Sequence, residues 1–291
     1  MCELVFVYGT LRQSEPNHAW LDGAELVAEQ AYVHGRLWDT GRGYPAAVLC
    51  EPDPDRSNRI YGELYRIQPE MLRNLDELED YRGPEGPNEY ERVRQLVHTD
   101  QQTYTACIYV YPFPPDQGKL LESGDWKAET RLKMEPMLYF AYGSCMDRDR
   151  FRTDGVDHLF QHVLGRGVLP HYELKFARKA ADGLGRADIV ETRPQGSRVE
   201  GKLYSINREA LDYLFKREGV AGKAYRPAFV NVEHNGSMLR DVITFTVVHK
   251  ENREAQPPEE YAEEILRGAS GVVSEEYYEM LQMKMRRGEG T

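Results

Sequence analysis

The sequence predicts an α+β fold built twice along one chain, and three observations lead there. Residues 199–218 overlay residues 60–79 without a gap: Gly62 falls on Gly201, Leu64 on Leu203, Tyr65 on Tyr204, Ile67 on Ile206, Leu75 on Leu214 and Glu79 on Glu218. Each copy changes period midway, from the alternation of a strand (Tyr61 to Tyr65; Val199 to Tyr204) to the i, i+3, i+4, i+7 spacing of a helix face. Short strand candidates surround each copy, so a single helix is inserted among strands ahead of a closing hairpin, the pattern of α+β rather than of repeating βαβ units. A chain of 291 residues has room for two ordinary domains, expected at residues 1–132 and 136–291.

The elements follow in order. Leu4 to Tyr8 is an apolar run that reads as a buried strand closed by Gly9, and Met137 to Tyr142 with Gly143 repeats it. Ala31 to Trp38, interrupted by Gly35, and Tyr44 to Leu49 are the next strands, followed by a surface loop at 51–58. After the helix ending near Glu79 comes a Gly/Pro-rich loop, then Tyr90 to Val97 and Gln102 to Val110 as a hairpin. Residues 112–136 hold Pro112, Pro114, Pro115 and Pro136 among many charges, and the later part of this span is expected to link the domains. In the second unit, Met146 to Phe160 starts as helix, and Glu173 to Ala177 and Ala187 to Val190 flank turns at Asp182-Gly183 and Gly185. Pro227 to Val248 forms a hairpin about Asn235-Gly236, which with Ser237 is formally a glycosylation sequence but is first of all the strongest short hairpin signal. Pro257-Pro258 starts a helix with Glu259 and Glu260 in its first turn and a stop near Gly268, and Ser274 caps a last helix from Glu275 to about Arg286.

Bulk properties narrow the function. A formal net charge of −11 argues against nucleic acid or an anionic membrane as main partner. No apolar run approaches a membrane span, and Met1-Cys2-Glu3 does not open a signal peptide. Cys2, Cys50, Cys107 and Cys145 show no close pairing, which argues against a zinc site or a disulfide framework. A reducing cytoplasm is the simplest compartment.

The chemistry is expected at the last residue of each repeat. Leu211, Leu214, Phe215 and Glu218 share one helix face, as do Leu72, Leu75 and Glu79. A carboxylate facing a core at the negative end of a helix has two reasons for a raised pKa, desolvation and the helix dipole. Each unit also has a strand-then-glycine loop, Tyr8-Gly9-Thr10-Leu11 and Tyr142-Gly143-Ser144-Cys145, whose backbone amides can turn toward an anionic ligand. The bland alternative is a mere turn with a glutamate paired to an arginine. Recurrence at matching positions favours a site, because perturbed carboxylates cluster where chemistry is done. Arg178-Lys179 with Arg186 reads as a solvated turn, with a pocket rim as the alternative.

These residues resemble the γ-glutamylcyclotransferase superfamily, twice over. Val7-Tyr8-Gly9-Thr10-Leu11-Arg12, Tyr44-Pro45-Ala46, Leu75-Asp76-Glu77-Leu78-Glu79, Tyr90-Glu91-Arg92 and Glu122-Ser123-Gly124-Asp125-Trp126 are similar to its AIG2-like, γ-glutamylamine cyclotransferase branch. Residues 139–146 (Tyr-Phe-Ala-Tyr-Gly-Ser-Cys-Met), Leu214 to Val220 and Tyr225 are similar to the γ-glutamylcyclotransferase branch proper. The resemblance implies a small mixed β-barrel flanked by helices in each domain. It implies Glu79 and Glu218 as catalytic acid/base residues. Tyr8, Gly9, Thr10 and Leu11, and Tyr142, Gly143, Ser144, Cys145 and Met146, would hold the substrate's α-carboxylate, with Tyr90 and Tyr225 lining the pockets. The implied reaction cleaves a small γ-glutamyl amide or peptide to 5-oxoproline and a free amine, with no metal or organic cofactor and no nucleic-acid or membrane partner. The alternative is a protein that binds a γ-glutamyl ligand without turning it over, or one active and one inactive domain. Two departures stand out: Cys145 replaces the family's usual Asn, and more residues separate Glu79 from Tyr90 than Glu218 from Tyr225. With no histidine at a persuasive spacing, Cys145 is expected to be a packed thiol rather than a nucleophile.

Overall fold

The structure, a computed structural model, describes residues 3–52, 58–193 and 197–286. The chain divides into two compact units, Met1–Leu132 and Lys133–Thr291. Unit 1 contains β1 (Glu3–Val7), β2 (Glu25–Asp39), β3 (Pro45–Leu49), β4 (Arg59–Ile67), α1 (Pro69–Leu78), β5 (Glu91–Thr99), β6 (Thr103–Val110), β7 (Lys119–Leu121) and α2 (Trp126–Arg131). Its barrel runs β2-β4-β1-β6-β5 and closes where β5 returns to β2 at Ala31↔Thr99 and Tyr32↔His98. The β1–β6 pair is parallel and the other pairings are antiparallel. Phe6 points into the barrel core with Val33, Ile60, Leu64 and Ile108, while Val5 and Val7 pack outward with Tyr65, Ile67 and Leu75 under α1. Burial on both faces explains why β1 reads as a continuous apolar run instead of an alternating one.

Unit 2 repeats this plan and adds to it. It contains β8 (Met137–Ala141), α3 (Arg148–Thr153), β9 (Val163–Pro170), β10 (Tyr172–Lys179), β11 (Gly185–Glu191), β12 (Arg198–Ile206), α4 (Arg208–Arg217), β13 (Tyr225–His234), β14 (Ser237–Val247), α5 (Glu259–Ala269) and α6 (Glu275–Arg286). The barrel is β12-β8-β14-β13-β9, again with one parallel pair, β14–β8, and β10–β11 form a separate two-stranded sheet. Asn235 and Gly236 both have positive φ (49° and 79°), as a two-residue I′ hairpin turn requires. The paired glycines of the repeat are close-approach positions: a Cβ on Gly62 would lie 2.3 Å from the Val7 carbonyl oxygen, and one on Gly201 2.2 Å from that of Ala141.

The structure corrects three expectations. The strand expected at Ala31 to Trp38 starts at Glu25, because register shifts between Leu26 and Ala31 carry one long strand past an irregular stretch. The end of the expected linker is folded into unit 1: β7 pairs with β2, and α2 buries Trp126, Lys127 and Ala128. β9 was not anticipated, since Val163 and Leu164 are exposed and Gly165 and Gly167 break its pattern. Among the described residues no helix is long and apolar enough to cross a membrane. Cys50, Cys107 and Cys145 are free thiols, and Cys2 lies outside the described residues.

Candidate active sites

In unit 1, Pro69 opens α1 and Leu75 is its buried anchor. The helix ends so that Glu79 is the C-cap, its amide bonded to the Leu75 carbonyl at 3.0 Å, and Asp80 at φ 49° turns the chain away. Glu79 thereby lines a cavity of about 270 Å³ together with Tyr8, Gly9, Thr10, Leu11 and Tyr90. Among the described residues no hydrogen bond or ion pair reaches its carboxylate. Burial, helped by the charge of Glu89, raises its pKa to about 7.

The loop facing Glu79 is held rigidly. Gly9 and Thr10 use their carbonyls, accepting from the Arg12 amide (3.1 Å) and the Asn17 amide (2.9 Å), whereas the amides of Gly9, Thr10 and Leu11 donate to nothing among the described residues. Gly9 has no room for a side chain, since a Cβ would stand 2.7 Å from the Pro45 ring. Beneath the loop lie two buried cations and two buried anions. Arg12 pairs with Glu63 (3.2 Å) and Asp125 (2.6 Å), Lys127 pairs with Glu63 (3.4 Å), and Glu63 also accepts from the Gln13 amide (2.8 Å). Burial alone would raise the Glu63 pKa, but Lys127 and Arg12 more than offset it and hold the group ionised. Such a cluster fixes geometry more than it adds stability, and here it ties the loop to the Ser123–Trp126 segment. The tyrosines act as walls: Tyr8 donates to the Tyr109 carbonyl (2.7 Å) and Tyr90 to that of Pro45 (2.9 Å).

Unit 2 has the same arrangement in a larger cavity, about 810 Å³. Glu218 caps α4 through its amide bond to the Leu214 carbonyl (2.8 Å), and Gly219 at φ 62° turns the chain. Tyr142, Gly143, Ser144, Cys145, Glu218 and Tyr225 all line the cavity. The amides of Gly143, Ser144 and Cys145 donate to nothing among the described residues. Tyr142 donates to the Phe245 carbonyl and Tyr225 to that of Ala187 (2.7 Å), matching Tyr8 and Tyr90.

The surroundings differ. Cys145 donates its thiol to Glu218 Oε1 (3.4 Å), and Arg217 reaches Cys145 Sγ (3.2 Å) and Ser144 Oγ (3.0 Å). Burial, then the Glu218 charge, pushes the thiol up to about 12, so it is a neutral donor and not a nucleophilic thiolate. Burial raises the Glu218 pKa, while Arg217 and the thiol pull against that rise. Met146 is off the cavity: it is fully buried, its carbonyl accepts from Lys202 Nζ (2.6 Å), and Gly268 of α5 presses on its backbone. Lys202 occupies the repeat position of Glu63, so the charge under the loop has changed sign, with Asp147 and Arg267 completing the support.

Several lining residues had no sequence signal. Glu89 stands at the mouth of the first cavity, and Tyr261 enters the second from α5. Arg178 and Arg186 line the second cavity, so the pocket-rim reading replaces the solvated turn. Among the described residues no group of three or more His, Cys, Asp or Glu side chains is placed to hold a metal.

Comparison with known proteins gives a consistent picture. A family model described as gamma-glutamyl cyclotransferase, AIG2-like, matches residues 5–128, and an AIG2-like family model matches residues 198–281. The chain is 41% identical over 288 residues to YkqA of Bacillus subtilis, which is named among the gamma-glutamylcyclotransferases without a stated substrate; the match spans 98% of each chain. The crystal structure of YkqA matches at a TM-score of 0.85 and 40% identity, again over 98% of each chain. The gamma-L-glutamyl-butirosin B gamma-glutamyl cyclotransferase of Niallia circulans is 36% identical over 126 residues, 42% of this chain and 74% of that protein. The family protein YtfP of Escherichia coli is 36% identical over 122 residues, 42% of this chain and 94% of YtfP.

Proposed function

The chain belongs to the gamma-glutamylcyclotransferase family, and on that premise we propose that each unit converts γ-glutamyl amides or peptides to 5-oxoproline and a free amine. One observation carries the reading: in both units a C-cap glutamate with a raised pKa lines the same cavity as three loop amides that have no partner among the described residues. The amides of Gly9, Thr10 and Leu11, or of Gly143, Ser144 and Cys145, receive the substrate's α-carboxylate. The α-ammonium first loses one proton to solvent; as the resulting amine attacks the γ-carbonyl carbon, its nitrogen gives a second proton to ionised Glu79 or Glu218. The new C–N bond closes a five-membered ring and places charge on the carbonyl oxygen. Collapse breaks the C–N bond to the departing amine, which takes the proton back from the glutamate. One proton enters and one leaves, so the steps balance without a cofactor. A shuttle with a pKa near the working pH is typically worth ~10²–10⁴-fold, and holding the substrate folded for ring closure adds orientation.

The test is 5-oxoproline release from a panel of γ-glutamyl amides and dipeptides. Glu79→Gln is expected to lower unit 1's turnover, and Glu218→Gln unit 2's, each by at least about 10²-fold, with the double variant inert. Full activity in both single variants would remove the glutamates from the mechanism. Binding without any release by the unmodified chain would favour the non-catalytic reading.

A further inference from the structure

Aligned from the strand-then-glycine loops, Thr10 falls on Ser144 and Leu11 on Cys145; aligned from the helices, Leu78 falls on Arg217. Loop and helix therefore meet through different chemistry in the two units. In unit 1, Leu11 and Leu78 belong to one apolar cluster with Leu75. In unit 2, Arg217 ends α4 and its guanidinium spans the loop, Nε donating to Cys145 Sγ (3.2 Å) and Nη2 to Ser144 Oγ (3.0 Å). Behind it, Nη1 meets Asp154 Oδ2 (3.3 Å) and Tyr213 Oη (3.4 Å), and the Tyr213 hydroxyl donates to the same Asp154 oxygen (2.6 Å). The Cys145 sulfur accepts from Arg217, and its single hydrogen goes to Glu218 Oε1 (3.4 Å). The cation thus reaches the carboxylate through a neutral thiol, and among the described residues no ion pair joins Arg217 to Glu218 itself.

We propose that Arg217 is a positioning residue of unit 2: it locks the amide loop to the end of α4 through Ser144 and Cys145, and holds the Cys145 thiol as the donor that orients Glu218. This rests on the proposed cyclotransferase reading. The fork shape matters, because a planar guanidinium backed by Asp154 serves two loop side chains at once, which the point charge of an ammonium does not. Arg217 and Glu218 are consecutive, so the residue that grips the loop also fixes the span from the amides of residues 143–145 to the proton acceptor. The cation bears on the proton as well. Burial raises the Glu218 pKa, and Arg217, then the thiol, then Arg178 of β10 pull against that rise. The other titratable groups facing Glu218 are Tyr139 and Tyr142 of β8, Tyr225 of β13 and Tyr261 of α5, all held neutral by burial.

The experiment reads unit 2 in the full chain carrying Glu79→Gln, with the γ-glutamyl dipeptide of the panel that it turns over fastest. Arg217→Leu, which installs unit 1's residue, is expected to raise KM and to lower kcat/KM at neutral pH by about 10- to 100-fold. It also moves the midpoint of the kcat/KM–pH profile up, because the cation that favours ionised Glu218 is gone. Arg217→Lys keeps the charge without the fork, so the midpoint returns toward its original place while KM stays raised. Ser144→Ala removes one arm of the grip, raising KM without moving the midpoint. A second readout needs neither turnover nor an Arg217 variant: infrared difference spectra between the unmodified chain and Cys145→Ser isolate the Cys145 S–H stretch. That band is expected to move to lower frequency as Glu218 ionises with rising pH, and to ignore pH in Glu218→Gln. Unchanged KM and midpoint in Arg217→Leu, or an S–H band blind to pH in the unmodified chain, overturns the positioning role and leaves the reaction standing. A pH-dependent band with no 5-oxoproline release by the unmodified chain overturns the reaction and keeps the link from thiol to glutamate, and neither band shift nor release overturns both.

Discussion

In the proposed reaction the carboxylate of Glu79 is the group on which unit 1's chemistry turns, and its environment sets an expected pH dependence. Burial and Glu89 put its pKa at about 7, up from the usual 4.5. The ionised form is the one that accepts a proton, so kcat/KM of unit 1, measured in the Glu218→Gln chain, is expected to rise with pH through an apparent pKa near 7. Glu89→Gln removes one of the two causes and moves that midpoint down; a midpoint that stays in place would mean Glu89 does not act on Glu79. The shift has a stability counterpart. Between the unfolded value and about 7 the folded state binds more protons than the unfolded one, so this group makes unit 1 less stable as pH rises through that window. In unit 2 the glutamate has company: a neutral thiol donates to it and Arg217 lies alongside, so Cys145 supplies a hydrogen bond that Glu79 lacks.

At the scale of elements, the strand–helix repeat is held by its glycines. Gly62 and Gly201 sit where β4 and β12 cross beneath the Phe6 and Phe140 rings, and an added methyl would meet both a ring and a carbonyl oxygen. Neither obstacle is the end of a flexible side chain on open ground, so Gly62→Ala and Gly201→Ala are each expected to destabilise their own unit by about 2–4 kcal/mol in denaturant melts. A change below about 0.5 kcal/mol would show that the strands part easily there. The echo was legible because it is local: a strand, a helix and a cap are written in consecutive residues, as are the Asn235-Gly236 turn and the Ser274 cap, whose hydroxyl accepts from the Tyr277 amide. The length of β2 was not legible, because irregular pairing interrupts its alternation. β9 was missed because half of its pattern faces solvent. The glutamates and the glycine loops of the sites could be read ahead of the structure, and Arg178 only as one of two alternatives; Glu89, though next to Tyr90, and Tyr261 of α5 carry no signal until folding brings them to a cavity. Met146 shared a motif with lining residues, yet the turn at Ser144 to Met146 directs it inward.

The whole molecule is one device built twice with its charges rearranged. Each unit has a closed five-strand barrel, a loop of amides without a partner among the described residues, two tyrosines tied to backbone carbonyls and a C-cap glutamate. The support beneath the loop is Glu63 with Arg12 in one unit; in the other, Lys202 donates to the Met146 carbonyl and Arg267 pairs with Asp147. The cavity wall is acidic in unit 1 and carries both signs, with one arginine unpaired among the described residues, in unit 2. Two sites of one reaction is the account this supports. Its central claim is that both glutamates and both loops address the same chemical group, and a crystal structure of the chain soaked with 5-oxoproline tests it most directly. The account predicts one molecule in each cavity, its carboxylate on the amides of residues 9–11 and 143–145 and its ring nitrogen about 3 Å from Glu79 or Glu218. Product bound away from the glutamates, or in a cavity with its carboxylate turned from the loop, would contradict it.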